Sequence, residues 1–99
     1  MDVRQILTKY QHRVLLSIEE VFFLANILIF SMQTLLKIHQ DRDSQRYFRD
    51  LRHQGSRLLW AALQRRRGMI TDDVLNEAAD LILHQHMHAF ELYCLEESE

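Results

Sequence analysis

Along the first third of the chain, seam positions recur at alternating steps of 4 and 3: Val3, Leu7, Tyr10, Val14, Ser17, Val21, Leu24, Leu28, Ser31, Leu35 and Ile38. That is the heptad pattern of a packed helix, and it predicts one long helix over about residues 3–39. At about 1.5 Å per residue such a helix would extend roughly 54 Å, whereas a compact chain of this length has a radius of gyration of about 13 Å. The helix would outrun its own globule. Either a second copy covers the excess, with Val14, Val21, Leu24, Leu28 and Leu35 as the shared dimer seam, or the helix breaks. A break has one candidate, since Ser17-Ile18-Glu19-Glu20 has capping-box form with Leu16 and Val21 placed as its hydrophobic staple. The unbroken phase and the lack of Gly or Pro in this region favour continuity, with the break at Ser17 as the alternative.

Within the seam, VFFLANILIFSM (Val21 to Met32) is apolar on nearly every side, as expected of a helix buried all round. A membrane span needs about 20 apolar residues. Glu19, Glu20 and Gln33 flank this run and Asn26 interrupts it, so a core or dimer-core helix is the expectation rather than a span.

A second helix is predicted over about residues 44–67, capped by Asp41 or Asp43 and packed through Tyr47, Phe48, Leu51, Gly55, Leu58, Leu59 and Ala62. Gly55 on that face suggests close approach of another helix, since inside a helix it costs about 1 kcal/mol against Ala. Gly68 is the natural stop. Thr71, followed by Asp72 and Asp73 and flanked by Ile70 and Leu75, marks the N-cap and staple of a third helix over about 72–95. The short connection makes helices two and three an antiparallel hairpin. The fold class is therefore an all-α antiparallel bundle in one domain, residues 1–99, of three long helices, or four if Ser17 starts a new one.

Composition supports this picture: there is no Pro and only two Gly, and the hydrophobic fraction of 47% is that of a globular chain. One cysteine, Cys94, cannot form an intramolecular disulfide, and the first residues lack a signal-peptide core, so a cytoplasmic or other intracellular setting is expected. The net charge of −2 hides a segregation. Arg42 to Arg67 holds eight arginines against two aspartates, whereas Thr71 to Glu99 holds eight acids and no Lys or Arg.

The basic segment has order. Arg42, Arg46, Arg49, His53, Arg57, Trp60, Gln64 and Arg67 fall on one side of the second helix, away from its apolar face. Guanidinium groups pair bidentately with carboxylates or phosphates, and a tryptophan on the wet side is best explained by something that covers it. Arg46, Arg49, Arg57, Trp60 and Arg67 are therefore the candidate recognition residues, for an acidic protein surface or for a nucleic-acid backbone. The acidic third helix would repel a passing nucleic acid, which favours the protein.

The run LHQHMHAFELYC, Leu83 to Cys94, looks like a metal site but a helical wheel splits it. His86 falls in the apolar stripe of Leu75, Ala79, Ile82, Phe90 and Tyr93, and is expected to be hydrogen-bonded in the core near the level of Gly55. His84, His88 and Glu91 fall on the opposite, acidic side and lack a fourth ligand. No metal or cofactor is expected. No nucleophile with a partnered base, phosphate loop or inward pair of carboxylates is present, so an enzyme is not expected either. The sequence points to a small regulatory or adaptor protein that acts by protein–protein interaction, as a homodimer.

Overall fold

The computed structural model describes residues 2–98, with side chains described through His88 and at Phe90. It is all-α: α1 (Val3–Gln11), α2 (Ile18–Ile38), α3 (Arg42–Arg66) and α4 (Asp72–Ser98). The single helix expected over residues 3–39 is replaced by two, α1 and α2. The radius of gyration is 13.4 Å.

The break is built from backbone hydrogen bonds rather than from glycine. At the end of α1, Arg13 takes a left-handed conformation (φ 58°), Val14 N–H donates to Lys9 C=O at 2.9 Å and Arg13 N–H donates to Tyr10 C=O at 3.1 Å. This is a Schellman stop with arginine where glycine is usual. Four residues later, Ser17 Oγ accepts from Glu20 N–H at 3.2 Å while Glu20 Oε1 accepts from Ser17 N–H at 2.9 Å, a complete capping box. Glu20 also pairs with Lys9 of α1 at 3.0 Å. Burial pushes the Glu20 carboxyl up, but the Ser17 backbone N–H, the Lys9 ammonium and the Ser17 hydroxyl outweigh it and hold it below the ordinary carboxylate range.

Asn76 of α4 locks the linker in place. Its Oδ1 accepts from Leu16 N–H at 2.7 Å and its Nδ2 donates to Leu16 C=O at 3.2 Å, so one side-chain amide satisfies both backbone groups of a buried residue. With the chain folded back here, α1 packs against α4 while α2 and α3 form the most extensive helix pair.

Gly55 explains how close that pair comes. A Cβ at this position would lie 2.7 Å from Leu28 Cβ and 3.2 Å from the Ala25 carbonyl oxygen of α2. The glycine therefore admits α2. Val21, Leu24 and Leu28 are fully enclosed in the chain's own core with Leu51, Leu58 and Ala62 of α3. Within the single chain this part of the expected dimer seam is covered by α3. Once the helix breaks, the same periodicity is satisfied by internal packing. Of the five residues expected at the dimer seam Val14 is exposed and Leu35 half-buried, and Ile38, the last position of the same periodic run, is exposed as well.

By length and composition alone, α2 is apolar enough to cross a membrane, with 33% of its most apolar window buried in the fold. Phe30 and Ile38 project from it, while Phe22 and Phe23 are half-buried.

At the α3–α4 turn, Gly68 (φ 75°) closes a second Schellman stop, with Met69 N–H to Gln64 C=O at 2.9 Å and Gly68 N–H to Arg65 C=O at 3.0 Å. Thr71 Oγ1 then caps α4 by accepting from Val74 N–H at 3.3 Å, and Arg65 pairs with Asp72 across the turn at 2.6 Å.

Candidate functional site

The basic ridge lies along the outer side of α3. Asp41 starts the helix by accepting from Ser44 N–H at 3.0 Å, and the Ser44 hydroxyl, then this N–H, hold its carboxyl below the ordinary range. Gln45 reaches back to donate to Leu36 C=O at 2.6 Å, tying α3 to the end of α2. With Leu51, Gly55, Leu58 and Ala62 turned inward, the 3.6-residue repeat turns Arg46, Arg49, His53, Arg57, Trp60 and Gln64 outward, and all six are exposed. Arg67, the C-cap residue of α3, is exposed as well. Arg42, Gln45, Arg46 and Arg49 surround an open depression at the start of the ridge.

Trp60 is 64% exposed, and the indole therefore keeps most of its surface in water. Among the described residues, the ion pairs are Lys9–Glu20 and Arg65–Asp72; none of Arg46, Arg49, Arg57 and Arg67 takes part in one. Arg66, on another side of α3, lies 6.0 Å over the Phe22 ring of α2 and serves the packing rather than the ridge. The ridge is thus a row of solvent-facing cations outside the ion pairs of the described residues, with one aromatic plate. Such a surface can bind planar anions such as carboxylates or phosphates.

The histidines separate. His84 and His88 are exposed on α4, and no group of three or more His, Cys, Asp or Glu side chains suited to a metal ion occurs among the described residues. Glu91, Tyr93 and Cys94 lie outside the described side chains. His86 is half-buried, but among the described residues the hydrogen-bonded core role expected of it is not realised: neither buried ring nitrogen has a partner there. It sits at a break in the helical backbone of α4 (φ −123°, ψ 22°), with its ring edge-on to Tyr47 of α3 at 5.9 Å. Burial lowers its pKa, and the Asp50 carboxylate opposes this in part.

Two features carry no periodic signal and escape sequence reasoning: the Asn76 clamp on Leu16 and the exposure of Val74 and Leu81 on α4. Asparagine four positions after an N-terminal aspartate reads as an ordinary polar helix residue. Comparison with protein families, with curated proteins and with solved structures gives no match for this chain.

Proposed function

We propose that this chain is a small, non-catalytic, intracellular regulatory or adaptor protein that binds an acidic surface of another protein through the α3 ridge of Arg46, Arg49, Arg57, Trp60 and Arg67. The observation that supports it is Trp60, held 64% exposed in a row of arginines without ion-pair partners. A tryptophan left in water amid cations becomes favourable when a partner desolvates it, and arginine with tryptophan is the composition of interface hot spots. Homodimerisation belongs to the same proposal. With Val21, Leu24 and Leu28 enclosed, it rests on the outer side of α2, where Phe30 and Ile38 stand exposed.

Trp60 is the only tryptophan, so its emission reports on the ridge directly. Titration with poly-glutamate is expected to shift that emission, and Arg49→Ala with Arg57→Ala to abolish the shift. Duplex DNA is the competing probe. Tighter binding of DNA with a steep salt dependence would transfer the ridge to nucleic-acid recognition, and no response to either polyanion would remove the ridge as a binding surface.

A further inference from the structure

We propose that two copies of this chain pair through the outer side of α2, as antiparallel helices related by a twofold axis at the level of Leu28; this rests on the homodimer reading given above. The outer side carries a seam of its own. Glu19, Phe23, Asn26, Phe30, Gln33 and Lys37 follow one another at steps of 4, 3, 4, 3 and 4. At 100° per residue they fall within about 40° of one line along the helix, and that line runs nearly opposite the buried Val21, Leu24 and Leu28. Glu19, Asn26, Phe30, Gln33 and Lys37 are exposed, and Phe23 is half-buried. The fold of the single chain leaves this seam uncovered.

The order of the positions decides how a copy can lie on it. The spacing reads the same from either end, so an antiparallel copy centred at Leu28 sets each position level with its counterpart from the other end of the seam. Glu19 then faces Lys37 of the second copy, Phe23 faces Gln33, and Asn26 faces Phe30, and symmetry repeats each pairing. A parallel copy would set Glu19 beside Glu19 and Lys37 beside Lys37, which like charges oppose. Neither charge is spent inside the chain, because the ion pairs among the described residues are Lys9–Glu20 and Arg65–Asp72. The seam is self-complementary in one direction only.

Shape agrees with charge. Ile18, Glu19, Phe22, Phe23, Asn26 and Arg66 line an open hollow on the N-terminal half of this face, with the Arg66 guanidinium 6.0 Å over the Phe22 ring. In the antiparallel register Phe30 of the second copy, level with Asn26, comes to the rim of that hollow, and the first copy's Phe30 meets the second hollow in the same way. The aromatic rings supply affinity in the middle, and the charged ends fix the direction.

The test is charge exchange, read as the weight-average mass of the full chain in sedimentation equilibrium at micromolar concentration. Glu19→Lys alone and Lys37→Glu alone each put like charges at both ends of the pair, and each is expected to weaken association about tenfold. The double exchange, Glu19→Lys with Lys37→Glu, restores opposite charges and with them the mass. Mixing the two single variants is the decisive arm, since every end then finds its opposite and the mass should rise above that of either variant alone. That gain is independent of any folding cost at the helix ends. High salt should narrow the differences among the charge variants while the wild-type dimer persists on its aromatic middle. A dimer that Phe30→Glu dissociates but that ignores the exchanges and the mixing would overturn the antiparallel register and leave the homodimer on the outer side of α2. A wild-type chain that stays monomeric, or a dimer indifferent to Phe30→Glu, would overturn both.

Discussion

The least satisfied residue in the described structure is His86. Its two ring nitrogens are buried without partners at the point where α4 departs from helical geometry, against the edge of Tyr47. An imidazole in this place loses its hydration and regains no hydrogen bond, a loss of about 1–3 kcal/mol for a fully buried group. His86→Phe, which keeps a ring against Tyr47 and removes the unpaired nitrogens, is expected to stabilise the fold by about 1 kcal/mol near neutral pH. Because burial lowers the folded-state pKa of His86, the unfolded chain binds its proton first, so stability is full above the ordinary histidine range and falls as pH drops through it toward the folded-state value. Glu20 also loses its contribution in acid, as pH falls through its lowered value, but it does so in both proteins. The advantage of His86→Phe should therefore widen on acidification, and thermal melts of the two proteins across this range read the difference. A gap that narrows would mean that His86 is stabilised by protonation. The sequence placed this residue on the apolar stripe but could not show its lack of a partner, because that depends on where α3 puts Tyr47 and Asp50.

At the scale of elements, the stop signals of α1 and the start signals of α2 differ in legibility. Ser17, Glu20, Leu16 and Val21 form a local pattern, and the structure uses it as the sequence writes it. The stop is hidden, since Arg13 occupies a conformation that glycine normally marks and the seam keeps its phase across the break. Tertiary ties hold it: Asn76 grips Leu16, and Lys9 reaches Glu20. An L-residue in the left-handed region costs about 1–2 kcal/mol, part of which glycine returns as unfolded-state entropy. Arg13→Gly is accordingly expected to raise stability by about 0.5–1 kcal/mol, and Ser17→Ala to lower it by about 1 kcal/mol through loss of the cap. Urea denaturation measures both. Were residues 3–38 one continuous helix, the signs would reverse, since glycine would weaken a helix interior and alanine strengthen one.

Over the whole molecule, the decisive matter is what the heptad seam packs against. Its residues were legible as a buried face, but the identity of the facing helix was not, because one apolar stripe fits an internal partner and a second copy equally well. The fold supplies the internal partner: α3 comes down on α2 through Gly55, and Leu24 and Leu28 vanish from the surface. Leu28→Ala therefore removes core contacts, and a loss of about 2–5 kcal/mol is expected, independent of protein concentration. A seam shared between two copies would instead give a stability that rises with concentration, because dissociation and unfolding would be linked. The proposed dimer then depends on the part of α2 left exposed, Phe30 with Ile38 at the end of the seam. Phe30, 64% exposed, and Ile38, 65% exposed, lie on the outside of α2 and contribute little to the core, so Phe30→Glu should leave the unfolding midpoint nearly unchanged while lowering the mass in sedimentation equilibrium at micromolar concentration. Added salt separates this route from association of the basic α3 ridge with the acidic face of α4 in another copy, since apolar contact strengthens or holds in salt whereas charge pairing is screened. A wild-type chain that stays monomeric at every salt concentration removes self-association and leaves the α3 ridge to a different protein.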